Sequence, residues 1–246
     1  MKFFTYHIFK FEQGKVILFL LLTLFLMISL TSFVEKITKV KGEIHIEKQV
    51  FNKSNMIDEY EMNISYPKIK YTHTEINHIV NVDIQRIMIL AITDFTEKVK
   101  KNRETEINSE GFSLLTLDYK VYFQKADLLS IKFTKQTLLS GNEKPNNVIL
   151  TYNFDLRSGK LLKISDIFLP NTEYEKYITT LAKKHSDKCK FKTEYILTNY
   201  CFSSEGLILS FDDISNLSKY CHSEIVIPWH ELKNIIREDG VFSIFR

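Results

Sequence analysis

The sequence is poor in the two residues that most often interrupt regular structure. Only seven glycines and four prolines occur among its 246 residues, against average usage of about 7% and 5%. This scarcity excludes collagen-like, linker-like and low-complexity chains. An excess of one charge is also lacking, because 33 Lys and Arg residues stand against 30 Asp and Glu residues. The net charge of +3 and the dispersed basic residues argue against a nucleic-acid partner.

The signatures of common enzyme classes are missing as well. No G-x-S-x-G, P-loop or G-x-G-x-x-G motif occurs in the chain. We therefore assign no catalytic residue and no cofactor from the sequence. What is present is apolar material, because 44% of the residues are hydrophobic and 13% are aromatic. That content is enough to build a core and excludes wholesale disorder.

Residues 16–34 (VILFLLLTLFLMISLTSFV) contain no charge. A helix of this length spans about 28 Å, close to the hydrocarbon thickness of a bilayer. The run predicts a cytoplasmic tail at 1–15, a single transmembrane anchor at 16–34 and an exported domain at 35–246, either periplasmic or extracellular. The alternative is a cleaved signal sequence and a secreted domain. The exit at 29–32 has no Ala, which favours the anchor.

The three cysteines, Cys189, Cys201 and Cys221, all lie in the C-terminal third. In an oxidising compartment two of them would pair and leave one thiol, while three buried free thiols are the alternative. Spacing does not decide the pairing. No C-x-x-C is present, so we predict no metal site.

Hydrophobic periodicity predicts strands and a long helix. Apolar residues recur at three- and four-residue spacing over about 75–100, a helical stripe that Thr74 would cap. We expect Pro67 to end the strand that precedes it. Strict alternation marks the half-buried strands, at 43–51, 60–66, 115–123, 129–133 and 148–154.

Shorter segments complete an α+β domain. Strands are predicted at 207–211 and 225–227, and helices at about 172–188 and 229–238. The clean alternation favours an antiparallel sheet with one face on the core and the other on solvent or a partner. The predicted fold is therefore an antiparallel sheet packed against helices, preceded by one N-terminal transmembrane helix.

Asp212, Asp213 and His222 are the candidate ligand-binding residues. The two aspartates follow a predicted strand, where they would bind a cation or act as a carboxylate pair. A polar turn explains the same residues without a ligand. We expect contact with a partner either on this 212–222 loop or on the strand face that no helix covers.

Three motifs together resemble a known bacterial domain. They are DLRSGKLLKISDIF at 155–168, FSSEGLILSF at 202–211 and IVIPWHEL at 225–232. In order and spacing they look like the exported domain of unknown function shared by RsiV-type anti-sigma factors and PdaC-type peptidoglycan deacetylases. The resemblance covers about residues 43–238. It implies a cell-envelope protein with an antiparallel sheet packed against helices, and in the anti-sigma members a receptor for proteins such as lysozyme.

The chain departs from both relatives in what surrounds this domain. The short tail at 1–15 leads us to expect no sigma-factor inhibition, and no segment remains for a separate metal-dependent catalytic domain. We therefore expect non-enzymatic binding of a protein or cell-wall ligand outside the cytoplasmic membrane. The alternative function is an envelope hydrolase acting on peptidoglycan or its acyl groups. His222 and Asp213 would be the residues to substitute in testing that enzyme. Neither Cys201 nor Cys221 has the sequence context of a thiol protease, although His185, His222 or His230 could approach one of them in space.

Overall fold

The computed structural model describes residues 44–105, 111–186, 197–211 and 223–245. The predicted tail and the apolar run at 16–34 lie outside these ranges. Within them, no helix combines the length and the apolar character that a bilayer crossing requires. The residues from Gly42 to Arg246 form one compact unit of the α+β class.

A six-stranded sheet forms the larger layer, and its strands are ordered as they follow in the chain. All neighbours are antiparallel except β2 and β3, which are parallel, so the sheet is mixed and not wholly antiparallel as predicted. The reason is the long helix α1 (Thr74–Thr105), which crosses over and returns the chain to the same end of the sheet. The strands are β1 (His45–Asn55), β2 (Tyr60–Lys70), β3 (Ser113–Lys125), β4 (Leu128–Leu138), β5 (Asn146–Asp155) and β6 (Lys160–Leu161).

Helix α1 confirms the predicted apolar stripe and extends it by about a turn. Its buried residues recur at three- and four-residue spacing and pack on one face of the large sheet. The stripe therefore supplies the helical side of this first core. The buried positions of α1 are Val80, Ile84, Ile87, Ala91, Phe95 and Val99.

Strand β2 continues through Pro67 to Lys70, so the predicted end at this proline is wrong. Pairing of β2 with β3 stops at Ile64, so the later part of β2 has a neighbour only on the β1 side. At Ile69, two residues after Pro67, both the N–H and the C=O point away from β1 and bond the Asn81 side chain at 2.8 Å. The missing N–H of Pro67 faces this same free edge and costs no ladder bond.

A second, smaller layer covers part of the sheet face opposite α1. It contains an antiparallel sheet of β7 (Tyr200–Phe202), β8 (Gly206–Ser210) and β9 (Glu224–Pro228), with helix α2 (Tyr174–His185). Leu128 of β4 belongs to this second core, whereas the adjacent Leu129 belongs to the α1 core. Strand β4 is thus buried on both faces, and the expected open strand face is covered here.

A β-bulge at Tyr122 divides β3 between the two cores. Val121 pairs with Ile131 and Phe123 pairs with Ser130, so Tyr122 has no partner in the ladder. Beyond the bulge Phe123 packs against the second core, where its ring lies 5.4 Å from that of Phe245. The alternation that placed Phe123 on the same face as Val121 is therefore broken at this point.

The predicted terminal helix is shorter than expected. Helix α3 covers only Trp229–Leu232, and a 3-10 turn follows at Gly240–Phe245. Between them the backbone pairs with the end of the 3-10 turn Ile164–Ile167 and the residues that follow it. Leu169 N–H donates to Ile235 O, and Arg237 N–H donates to Ile167 O. This extended pairing takes the backbone groups that a longer helix would need.

Asn81→Ala tests the side chain that closes the free edge of β2. We expect the free energy of unfolding to fall by about 1–3 kcal/mol, because the buried Ile69 N–H and C=O lose their partners. Urea denaturation followed by circular dichroism measures the change. Asn77→Ala is the matched control, since it removes only the 3.0 Å contact to Asn81 and leaves the pair with Ile69. Equal losses in the two variants would contradict this role of Asn81.

Candidate functional site

The predicted ligand residues Asp212, Asp213 and His222 lie outside the described residues. The two residues that flank this segment are described and lie close together, because Phe211 N–H donates to Ser223 O at 3.0 Å. Phe211 and Ser223 therefore lie at one place on the small sheet. The structure brings a charged cluster to that place.

Glu224, the first residue of β9, is the centre of this cluster. Its Oε1 accepts hydrogen bonds from Tyr122 Oη at 2.5 Å and from Lys132 Nζ. Ser210 Oγ lies 3.5 Å from the same oxygen. The ammonium of Lys120 lies 4.4 Å from the centre of the Tyr122 ring. Four strands of two sheets meet in this cluster, and the bulge turns Tyr122 toward Glu224.

Glu224, Lys132 and Tyr122 each keep one protonation state at neutral pH. Burial opposes the charge of Glu224, but hydrogen bonds from Lys132 and Tyr122 outweigh it and hold the pKa of the carboxyl below 4.5. Burial also opposes the charge of Lys132, and the bond to Glu224 still raises its pKa above 10.5. Burial and the Glu224 bond raise the pKa of Tyr122 to about 12. Glu224 and Lys132 are therefore oppositely charged at pH 7 and Tyr122 is neutral, which suits positioning better than acid–base catalysis.

The thiol and imidazole candidates do not form a nucleophilic pair among the described residues. Cys201 is a free and buried thiol, and burial raises its pKa to about 12. A protonated buried thiol is a poor nucleophile. His185 Nε2 lies 2.9 Å from Glu231 on the surface, and His230 is exposed. Cys189 and Cys221 lie outside the described ranges, so the predicted pairing stays a prediction.

No metal centre is formed by the side chains that the structure describes. Within residues 44–105, 111–186, 197–211 and 223–245, no three His, Cys, Asp or Glu side chains converge as ligands. His73 lies beside the ring of Tyr71, with 5.4 Å between ring centroids. Trp229 packs on Phe245 with 3.9 Å between ring centroids, so the first residue of α3 belongs to the second core.

The clearest exposed feature is the hairpin tip, which we define as residues 56–58 between β1 and β2. Met56 is 74% exposed and Ile57 is 86% exposed. The turn is ordered by Asn55, whose Oδ1 accepts from the backbone N–H groups of Ile57 and Asp58, each at 3.0 Å. Asn55 Nδ2 also donates to Asp58 Oδ2 at 2.6 Å. This Asx turn fixes the backbone that carries two apolar side chains into solvent.

Arg103, in the last turn of α1, clamps the tip from the other side. Its Nη1 donates to Asp58 Oδ1 at 3.0 Å, and its Nη2 donates to Ile57 O at 2.7 Å. Glu59 lies 3.5 Å from the same guanidinium. A planar guanidinium that bonds backbone and carboxylate together holds the turn more firmly than a single surface ion pair.

A groove of about 400 Å³ lies beside the tip. Its floor includes Tyr60 and Val99, which are buried in the α1 core. Its rim carries charges of both signs from Asp58, Lys100 and Glu104. Apolar tip, apolar floor and mixed-charge rim together form a surface of the type that protein interfaces use.

The sequence pattern does not reveal this site, because residues 56–58 lie between the two predicted strands at 43–51 and 60–66. A signal was nevertheless present: Met56 and Ile57 put two large apolar residues into a turn framed by Asn55 and Asp58. Turns are ordinarily filled with small or polar residues. The partner Arg103 lies 45 positions from Asp58, and no local pattern connects them.

Comparison with known proteins shows which solved structures share this fold. No protein-family model and no curated protein matches the chain. A DUF3298 family member from Bacteroides fragilis aligns with a TM-score of 0.58 and 14% identity, covering 85% of this chain and 99% of that one. A DUF3298 family protein from Pseudomonas aeruginosa PAO1 aligns with a TM-score of 0.54 and 17% identity, covering 80% and 94%. The chain has the fold of DUF3298 proteins.

The DUF3298 fold agrees with the expectation of a domain of unknown function. At 14% and 17% identity the likeness concerns the fold alone. The narrower link to RsiV-type and PdaC-type proteins stays a prediction.

The Glu224 cluster predicts a specific pH dependence. The lowered pKa of Glu224 stabilises the fold above its unfolded value of about 4.5, and this contribution is lost as the pH falls through the lower folded value. We expect Glu224→Gln to cost about 1–2 kcal/mol at pH 7 and much less near pH 3. Urea unfolding at both pH values measures the difference.

The matched control for this prediction is Glu205→Gln. The side chain of Glu205 is exposed and forms no ion pair with the described residues, so its replacement should change stability little at either pH. A Glu224→Gln penalty that persists unchanged at pH 3 would show that the carboxylate charge is not its cause.

Proposed function

We propose that the chain is a bacterial cell-envelope protein whose exported domain binds a protein ligand through the hairpin tip, without catalysing a reaction. The observation that carries the proposal is the tip itself, where Met56 and Ile57 are held in solvent by Asn55 and Arg103. Exposed apolar side chains lower the solubility of a monomer. Because these two are held in a fixed position, they are suited to a partner that covers them.

The geometry makes the tip suitable as an anchor for a partner. Full burial of a side chain such as Ile57 stabilises a complex by about 1.5–3 kcal/mol. The ordering cost that usually reduces such gains is small here, because the Asx turn and the Arg103 clamp order the backbone before binding. The groove beside the tip would receive a partner side chain, and its charged rim would fix the orientation.

Location and partner class rest on the sequence. The uncharged run at 16–34 supports a single-pass anchor in the cytoplasmic membrane with the domain outside. The resemblance to the exported domain of RsiV-type proteins supports a protein ligand such as lysozyme. The alternative hydrolase gains no support from the Glu224 cluster, whose groups hold fixed charges at neutral pH.

Ile57→Asp tests this function directly. The full chain, purified in mild detergent, is titrated with lysozyme and separately mixed with insoluble peptidoglycan sacculi. We expect the wild type to bind lysozyme and Ile57→Asp to weaken binding at least tenfold, because a carboxylate would have to be buried in the apolar contact.

Ile89→Asp is the matched control for this experiment. Ile89 is also a large exposed apolar residue, 56% exposed, but it lies on α1 away from the tip. Equal loss in both variants, or no binding of lysozyme by the wild type, would contradict the proposal. Binding to sacculi that is equal in the wild type and in Ile57→Asp would indicate a cell-wall ligand at another surface.

A further inference from the structure

Strand β1 is a long edge strand of the six-stranded sheet. It runs for 11 residues and pairs only with β2 among the described residues. Sheets normally protect such an edge by shortening it, kinking it or covering it. In β1 the pairing with β2 is continuous from His45 to Asn55 without a bulge, so the free edge is long and regular.

The direction of the backbone groups along this edge follows from Ile69. Its N–H and C=O point away from β1, so its partner Ile46 also directs its own groups outward. In an antiparallel pair this orientation alternates with every residue. The even-numbered residues of β1 therefore present free N–H and C=O groups at the edge, and the odd-numbered residues bond β2.

The side chains along the edge are complementary to a second copy of the same strand. With Val50 opposite Val50 in antiparallel orientation, each Glu47 lies opposite Lys53 of the other copy, and Lys48 lies opposite Asn52. Opposite charges at directly facing positions stabilise a strand pair. Each residue whose backbone N–H and C=O point outward then lies opposite another such residue, as the hydrogen bonds of an antiparallel pair require.

Neighbouring registers lose this complementarity. A slide of two residues in one direction places His45 opposite Lys53, and in the other direction it places Gln49 opposite Lys53. Neither forms the Glu47–Lys53 pair. A slide of four residues in the first direction brings Lys48 against Lys48, which is repulsive. The twofold register centred on Val50 is thus favoured by charge and by backbone orientation together.

We infer that two copies of the chain pair through β1, antiparallel and centred on Val50, to form a continuous twelve-stranded sheet. A dimer of this kind is isologous, so its two edges satisfy each other and leave no further edge of this type open. The paired segment ends at His45 and Asn55. The tip at 56–58 lies beyond it, so this inference stands or fails independently of the proposed ligand binding.

Val50→Cys tests the register in the full chain. In an outward-facing antiparallel pair the two Cα atoms lie about 5.5 Å apart, within the range of a disulfide. We expect oxidation of the variant in mild detergent to give a covalent dimer, seen on a non-reducing gel and mapped by mass spectrometry to Cys at position 50. Asn52→Cys is the matched control, because those two sites would be about 14 Å apart along the strands.

A charge swap provides the second arm, on the Val50→Cys background. Lys53→Glu should reduce the cross-linked fraction several-fold, because it faces Glu47, and the further change Glu47→Lys should restore it. Equal cross-linking of the position-50 and position-52 variants would overturn the inference. So would failure of the double charge swap to recover the dimer while its circular dichroism spectrum stays native.

Discussion

The burial of β4 on both faces is the constraint on which the rest of the structure depends. Leu129, Ile131 and Phe133 face α1, while Leu128 and Ser130 face the small sheet. A bridge of polar side chains crosses the contact between β4 and the small sheet. Ser130 Oγ donates to Asn153 Oδ1 at 2.5 Å and accepts from Phe202 N–H at 2.9 Å. Asn153 Nδ2 donates to Tyr200 O at 2.9 Å, which completes the link from β4 and β5 to β7.

This bridge explains how two layers with separate cores behave as one unit. A buried hydroxyl or amide without a partner costs about 1–3 kcal/mol, so the small sheet must dock in one register to satisfy Ser130 and Asn153. Glu224 then reaches Lys132 and Tyr122 at the edge of the same contact. The charged cluster is therefore a consequence of docking.

The β1–β2 hairpin, at one end of the strand order of the large sheet, is less covered than β4. Away from the docked layer, the β1–β2 hairpin carries the exposed tip and the free edge of β1. Both features belong to an element that is covered on fewer sides than β4, so its side chains and backbone groups remain available to partners. The exposure of Ile57 and Val50 follows from the position of the hairpin at the end of the strand order.

Much of the local structure was predictable from periodicity, because alternation and the α1 stripe depend on nearby residues only. The long strands and α1 were confirmed for this reason. What local pattern could not reveal were arrangements set by distant partners. Tyr122 meets Glu224 across 102 positions, Pro67 is accommodated by the edge beyond Ile64, and residues 235–237 are drawn out of a helix by residues 167–169. The candidate site could not be predicted for the same reason, because Arg103 reaches the tip from the far end of α1.

The most direct measurement follows the unfolding of both cores in one sample. Trp229 is the only tryptophan and lies in the second core, whereas α1, which packs on the first, is the longest helix among the described residues and contributes strongly to the far-ultraviolet circular dichroism. Urea titration of the full chain, monitored by both signals, reports on the two layers separately. If the Ser130–Asn153 bridge joins them, the two transitions coincide in midpoint and slope. A Trp229 transition at clearly lower urea than the helical one would show that the layers unfold independently.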